Sequence, residues 1–237
     1  MGLFTHHHHS SQEKPTSQTA GVFTMPAWFY DLMAQGFVLS GKGREQIFRR
    51  RIIDLAQIQA GEAVLDVGCG TGTLAIVAKK CVGEIGRVYG IDPSAQLLAG
   101  ARRKAARARL PIDFQQEGIE RMPFPNQSFD VVLSTFMMHH LSDDLKRQGL
   151  SEIARVLKPQ GRLLVVDFKH PEEHQKGSGQ PGLGVGLQDL PALMEEAGFT
   201  PMETGEMPFY IRMAAPGRQS CSFALMSKSQ VTEQNPT

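Results

Sequence analysis

Along the chain, short apolar runs alternate with longer stretches in which apolar residues recur at helical spacing. From Arg44 to Ile58, the residues Ile47, Phe48, Ile52, Leu55 and Ile58 fall near a 3.6-residue period with Arg49, Arg50 and Arg51 between them. That pattern predicts an amphipathic helix ahead of Gly61. Ala63 to Val67 has the length of a buried strand and leads into a glycine-rich turn; Thr73 to Val82 reads as a helix and Arg87 to Ile91 as a second strand. Asp92 is expected to cap the next helix, with Pro93 in its first position, and that helix runs to about Arg109. Ile112 to Gln116 is a third strand and Phe129 to Thr135 a fourth, whose Val-Val-Leu centre suits burial on both faces. Ser142 is placed to cap a helix reaching Leu157, after which Pro159-Gln160-Gly161 turns the chain into a fifth strand, Arg162 to Phe168. Leu187 to Ala197 is a last helix stopped by Gly198, and two weaker strands near Phe199 to Met207 and Ser222 to Ser227 close the order.

Strand–helix alternation of this kind implies an α/β fold with a doubly wound, mostly parallel sheet of seven strands and helices on both faces. Ligands of such sheets bind beyond the carboxyl ends of the strands, where strand order reverses. The loops after the first, second and fourth strands are therefore where chemistry is expected. The organisation that follows is a disordered tail over 1–21, a lid segment over 22–43, one catalytic domain over 44–229 and a short tail over 230–237. The His6-His7-His8-His9 tract lies in the first tail and reads as a flexible terminus rather than a metal site.

Composition narrows the function classes. With 237 residues, 41% hydrophobic, the chain is too apolar to be disordered and long enough for one sizeable core. The formal charge of +1 argues against bulk nucleic-acid binding. Three widely spaced cysteines (Cys69, Cys81 and Cys221) make neither a disulfide framework nor a zinc knuckle, and reduced thiols fit a cytoplasmic protein. No apolar stretch is long enough for an integral membrane segment.

The first strand runs into Asp66-Val67-Gly68-Cys69-Gly70-Thr71-Gly72, an acidic strand end followed by three glycines at alternate positions. Glycine accepts positive φ and lets a ligand approach the backbone. The third glycine arrives one residue too early for a dinucleotide fingerprint, so a nicotinamide oxidoreductase is disfavoured. Asp66 would repel a pyrophosphate; it suits a ligand with a cationic amino group, or one bound without phosphates. Asp92 at the second strand end can accept both hydroxyls of a ribose. The implied ligand is a nucleoside with an amino-acid tail.

These stretches resemble class I S-adenosylmethionine-dependent methyltransferases, whose fold is Rossmann-like. The resemblance continues through Met122-Pro123-Phe124-Pro125-Asn126-Gln127-Ser128-Phe129-Asp130, Glu152-Ile153-Ala154-Arg155-Val156-Leu157-Lys158-Pro159 and Leu163-Leu164-Val165-Val166-Asp167. It points to the broad branch that includes the ubiquinone/menaquinone C-methyltransferases. It implies that Asp66, Gly68, Cys69, Gly70 and Gly72 surround the methionine part of S-adenosyl-L-methionine. It further implies that Asp92 holds the ribose, that Pro93 and Ser94 begin the helix beside the adenine, and that the backbone of Ser134 faces the methionyl amino group. Two departures stand out. Gly118 occupies a place where the family commonly has Asp, leaving the Ile119 N–H to meet the adenine, and Gln160 stands where a glycine is usual.

The acceptor is less constrained. His139 and His140 follow the fourth strand, where a histidine could deprotonate a phenol or enol or could pack at the start of the next helix. Ser134-Thr135-Phe136-Met137 lacks the Asn/Asp-Pro-Pro pattern of enzymes that methylate nucleobase amines. The run Arg102, Arg103, Lys104, Arg107 and Arg109 reads as a solvated helix face. Met25 to Met33 is rich in aromatics and methionine; it either covers the acceptor or caps the core, and Tyr30 is its hydrogen-bond donor. Met207, Phe209, Tyr210 and Met213 would add the far wall, and the glycine-rich stretch from Lys169 to Leu187 a mobile loop. The expected activity is C- or O-methylation of a small apolar or aromatic acceptor, with a homodimer allowed for. The alternatives are methylation of a phospholipid or amine nitrogen, and a non-catalytic cofactor-binding regulator.

Overall fold

In the computed structural model, the described residues are 44–168, 190–212 and 218–229; the side chains at 44, 209–212 and 218–219 are not described. The lid, both tails and the glycine-rich stretch lie outside them. The elements in chain order are α1 (Arg44–Leu55), β1 (Ala63–Val67), α2 (Thr73–Val82), β2 (Arg87–Ile91), α3 (Ala95–Ala108), β3 (Asp113–Gln115), β4 (Phe129–Thr135), a single 3-10 turn (Met138–His140), α4 (Asp143–Val156), β5 (Leu157–Phe168), α5 (Leu190–Glu196), β6 (Phe199–Arg212) and β7 (Arg218–Lys228).

The seven strands form one sheet in the order β3-β2-β1-β4-β5-β7-β6. Neighbours are parallel from β3 through β5, whereas β7 runs antiparallel to both β5 and β6. The chain walks outward from β1 to β3 and then returns to the other side of β1 for β4. The reversal of strand order therefore falls between β1 and β4, which pair through Val67 and Ser134 at their carboxyl ends. The expected doubly wound α/β architecture is the one observed.

Strand periodicity divides the core in two. Val64, Val131, Leu133, Leu164, Val166, Phe223 and Leu225 pack with Phe48 and Ile52 of α1, Leu74 and Ala78 of α2, and Leu98 of α3. The alternate residues Leu65, Val67, Val132, Leu163, Val165, Ala224 and Met226 pack with Leu150 and Ile153 of α4 and Leu190 and Met194 of α5. A period of two along each strand sends successive side chains to opposite faces, and both faces are covered. Asp66 shares the parity of Val64, so a carboxylate stands at the end of an otherwise apolar face.

Several element ends differ from the sequence reading, each for a local reason. The first helix stops at Leu55 rather than Ile58, because Gln57 takes a left-handed φ of 53° and Ile58 N–H closes back onto Ile53 O. Asp92 does not cap α3, and Pro93 is not its first residue. Ser94 is the N-cap, its hydroxyl accepting from Leu97 N–H at 3.3 Å, and the helix starts at Ala95. Ser142 does cap α4. The turn at Pro159-Gln160-Gly161 is a bulge inside one long β5: Phe129 pairs with Leu157, and Val131 with Arg162. Gln160 sits there at φ 62°, a conformation that glycine takes without strain, which explains the residue type common at this turn. The last helix is shorter than expected within its described part, and the last two strands are longer.

Leu164 is fully buried at the centre of β5, against the helices of the α1–α3 face. Leu164→Ala is expected to lower the unfolding free energy by about 2–5 kcal/mol. Urea denaturation should show this as a lower midpoint at unchanged slope; a loss under about 1 kcal/mol would contradict the packing described.

Candidate active site

The turn after β1 is shaped by close approach. Gly68 and Cys69 donate their N–H groups to Ile91 O at 2.9 and 3.0 Å, tying the turn to the end of β2. Gly68 has φ 69°, and a Cβ there would lie 2.5 Å from Cγ of Met137. Gly72 has φ 71°, and a Cβ would meet Phe114 Cζ at 2.7 Å and Ala101 Cβ at 2.8 Å. Both positions need glycine for backbone conformation and for space. Gly70 donates its N–H to Asp92 Oδ2 at 2.9 Å.

Asp92 Oδ1 also accepts from Ser94 N–H at 2.8 Å. A carboxylate has about four acceptor sites. Asp92 therefore organises the glycine turn and the entry to α3 while keeping capacity for a ligand's hydroxyls. Burial pushes its carboxyl up from the ordinary range, against these two hydrogen bonds. Pro93 lends its carbonyl to Gln116 Nε2 at 3.1 Å, joining the loops after β2 and β3.

Asp66 is in a different state. It is buried, and neither of its oxygens closes a hydrogen bond among the described residues. Burial pushes its carboxyl up to about 7; Arg49 pulls the other way, Asp92 adds to the rise, and the backbone N–H of Ala75 lowers it further. Ser134, paired with Val67, is also buried with no partner for Oγ among the described residues, but it has the parity of Val132 and faces α4 and α5, the opposite face from Asp66. The buried Asp66 carboxyl at a switch point of the sheet marks a place for a ligand that carries donors. The residues present fit a cofactor with a cationic amino group and a ribose.

Other expected residues take clear places. Cys69 is buried, and its thiol is held well above its usual range by burial and then by Asp66 and Asp92. It is a protonated turn residue with no nucleophilic character. Gly118 and Ile119 are buried, and the Ile119 side chain fills the space that Gly149 leaves on α4. The basic run is only partly a solvated face. Lys104 donates to the hydroxyls of Thr71 and Thr73 at 2.8 and 3.0 Å, bracing the glycine turn, and Arg102 donates to Phe114 O, while Arg103, Arg107 and Arg109 are exposed. Met207 is buried in the core, among the same cluster as Phe223. Tyr30 and Met213, and the side chains of Phe209 and Tyr210, lie outside what is described.

Glu152 and Arg155 clamp the loop that precedes β4. Arg155 donates to both carboxylate oxygens of Glu152 and to the carbonyls of Met122 and Phe124, while Glu152 accepts from Met122 N–H at 2.8 Å. The guanidinium holds the Glu152 carboxyl below its usual range.

The loop after β4 holds the histidines. His139 Nδ1 lies 2.6 Å from Asp167 Oδ1, and the His139 backbone N–H donates to Asp167 Oδ2 at 3.1 Å. Asp167 stands at the end of β5 and was not among the residues read from the sequence as chemical. The signal was present: an acid closing a strand, as Asp66 nearly does for β1. His140 stacks on His139 with ring centroids 3.8 Å apart. Burial and the neighbouring His139 push its imidazole down to about 4, with Asp167 opposing. An aromatic row runs from α1 to this loop, with Phe48 on Phe136, Phe136 on Phe168, and Phe168 edge-on to His139 at 4.8 Å. Phe136 adopts φ 53°, an unusual conformation for an aromatic residue. Among the described residues no cluster of acids, histidines or cysteines could hold a metal ion, and no helix is long and apolar enough to cross a membrane.

The strand order β3-β2-β1-β4-β5-β7-β6, with this site at its switch point, is accompanied by a match of residues 64–161 to the family model described as a methyltransferase domain. In sequence the chain is similar to the ubiquinone/menaquinone biosynthesis C-methyltransferases UbiE. It is 38% identical over 157 residues to that of Hahella chejuensis (65% of this chain and 61% of the relative). It is 36% identical over 170 residues to that of Pseudomonas putida, covering 69% and 64%. The chain thus spans less than two thirds of the length of these relatives. Among solved structures, a SAM-dependent methyltransferase from Aquifex aeolicus shares the fold at a TM-score of 0.65 and 24% identity, over 84% of this chain and 97% of that one. The cyclase SpnF shares it at 0.69 and 21%, over 86% and 95%.

The raised Asp66 carboxyl has a consequence for stability. In the unfolded chain Asp66 ionises near pH 4, whereas in the folded protein it keeps its proton to about 7. Between those values the native state binds more protons, so this group lowers stability as pH rises from about 4 to about 7 and adds no further change above. Chemical denaturation of the cofactor-free protein at a series of pH values should show that decline. In Asp66→Asn it should be reduced, and an identical profile would contradict the assignment.

Proposed function

We propose that this protein is an S-adenosylmethionine-dependent methyltransferase acting on a small apolar or aromatic acceptor. The observation that carries the reading is Asp66 at the switch point, buried with no side-chain hydrogen bond among the described residues. An unpaired buried carboxylate costs several kcal/mol unless a cation or donor meets it. A methionyl ammonium supplies both. Asp92, with open acceptor capacity, would hold the ribose hydroxyls, and Gly68, Gly70 and Gly72 would let the ligand lie against the backbone. Gly118 and Ile119 would border the adenine.

When bound, S-adenosylmethionine supplies an electrophilic methyl on a sulfonium. The chain's own part is to position and to exclude water, which can contribute much of the rate for an already activated donor. Phe136 and Phe168, half-buried and tilted 35° to one another in front of the buried Phe48, give the His139 loop an aromatic neighbourhood. That neighbourhood supports an aromatic acceptor over a phospholipid head group. The UbiE relatives are named for C-methylation in quinone biosynthesis, which fits such an acceptor.

Isothermal titration with S-adenosylhomocysteine tests the cofactor site. The wild type should bind it and show no heat with NAD. Asp92→Ala and Asp66→Asn should each weaken binding at least tenfold, equal to about 1.4 kcal/mol. Unchanged affinity in both variants would overturn the reading. Transfer of labelled methyl to a panel of phenols, quinols and amines tests catalysis, and cofactor binding without transfer to any of them would favour the regulatory alternative.

A further inference from the structure

We propose that Lys104 is a positioning residue for the glycine turn: without reaching the ligand, its ammonium fixes Thr71 and Thr73, holds the turn in the shape that admits S-adenosylmethionine, and so sets the affinity for that cofactor and for its product S-adenosylhomocysteine. The proposal rests on the methyltransferase reading above and concerns the same site.

The turn after β1 is loose by composition. Gly68, Gly70 and Gly72 all adopt positive φ, at 69°, 54° and 71°. Glycine loses more conformational freedom than any other residue when it is fixed. The helix that follows starts without a side-chain anchor, because its N-cap is Gly72, which has no oxygen to offer the first turn. Main-chain bonds hold part of the turn: Gly68 and Cys69 reach Ile91 O, and Gly72 N–H donates to Cys69 O at 2.9 Å. Asp92 holds Gly70, but its carboxylate is also the group expected to take the ribose hydroxyls. Lys104 braces the turn from outside the set of residues assigned to the ligand.

Its place on α3 suits that duty. Lys104 lies three residues after Ala101, on the same helix face, and a side chain at Gly72 would meet Ala101 Cβ at 2.8 Å. That face therefore packs on the turn. Lys104 is half-buried there, and Nζ donates to Thr71 Oγ1 and Thr73 Oγ1, the hydroxyls that flank Gly72. An ammonium only donates, so both hydroxyls accept from it and their rotamers are set together. Electrostatics does not account for the placement. A cation near the first turn of α2 meets the positive end of the helix dipole, where an acid is the favourable choice. The site's carboxyls answer to other groups: Asp66 to burial, Arg49, Asp92 and the Ala75 N–H, and Asp92 to burial and the N–H groups of Ser94 and Gly70. What the ammonium contributes is shape, two hydroxyls held to one point on α3. A turn ordered before binding leaves the ligand's interaction energy for affinity, since ordering a loop on association weakens binding.

Lys104→Met removes the donors and keeps an unbranched stem. Isothermal titration with S-adenosylhomocysteine should give a dissociation constant about tenfold above that of the wild type. Amide hydrogen exchange in the cofactor-free variant should be faster at Gly70 and Gly72, whose N–H groups donate to Asp92 and to Cys69 O, and should slow again on saturation with S-adenosylhomocysteine. Lys104→Arg should recover part of both effects. Arg103→Gln, which removes an exposed charge from the adjacent position, should change neither. Thr73→Val should weaken binding as well, and its effect should largely vanish in the Lys104→Met background, because the two changes remove one contact. Wild-type affinity in Lys104→Met would overturn the proposal, as would losses that simply add in the double variant. An equal loss in Arg103→Gln would reduce the effect to net charge and overturn it too. If the wild type shows no heat with S-adenosylhomocysteine, the methyltransferase reading fails instead, and the exchange rates of Gly70 and Gly72 still decide whether Lys104 holds the turn.

Discussion

The carboxyl end of the sheet is organised around the burial of Asp66, whose oxygens close no side-chain hydrogen bond among the described residues. A carboxylate taken out of water is among the costlier features a small domain can carry, and here Arg49 and the Ala75 backbone offset only part of the desolvation penalty. Here the cost is reduced by neutralisation, the carboxyl being pushed up to about 7. A ligand bearing a cation reverses that logic, because it favours the ionised form and recovers the interaction that the fold leaves unmade. Instability of the free site and affinity for the ligand are thus two consequences of one residue. The surrounding devices follow from it. The glycine turn opens space beside Asp66, Asp92 holds that turn through Gly70, and Lys104 braces it through Thr71 and Thr73.

The parity of the strands decides which groups can meet. Asp66 points with Val64 toward α1, α2 and α3, whereas Asp167 has the parity of Leu163 and Val165, which face α4 and α5. Two strand-end acids of one parallel sheet therefore serve opposite faces. One is left unsatisfied, and the other is saturated by two backbone N–H groups and a histidine. That contrast separates a group held in reserve for a ligand from a group that orients a neighbour. The loop after β4 touches both neighbours, Phe136 N–H donating to Val166 O of β5 and Met137 packing on Gly68 after β1.

Much of this was legible in the sequence, and the limits have physical causes. Strands β1, β2 and β4 and helix α2 fall where periodicity and turn chemistry put them, since each is short, apolar and bounded by glycine, proline or a polar cap. The places of Asp66 and Asp92 at the carboxyl ends of neighbouring strands were legible as well. Three things were not legible. The end of the first helix, set by left-handed Gln57, has no glycine to announce it. Asp92 and Ser94 are both competent caps, and only the hydrogen bond from Gly70 to Asp92 decides between them. The pairing of His139 with Asp167 spans 28 residues and depends on the register of β4 against β5, where a bulge shifts the count. No local pattern encodes a distance set by a bulge.

Fold alone would not decide among the activities open to this scaffold, since the same architecture is found in a cyclase. What distinguishes this chain within the fold is the chemistry at the ends of two neighbouring strands. Asp66 is buried and pushed up to about 7, and one strand away Asp92 accepts from the Gly70 and Ser94 backbone while retaining acceptor capacity. The two carboxyls thus differ in how far the fold satisfies them, so a ligand spanning them would be read at one end by charge and at the other by hydroxyl donors. That asymmetry, and not the sheet, is what a choice among activities has to explain.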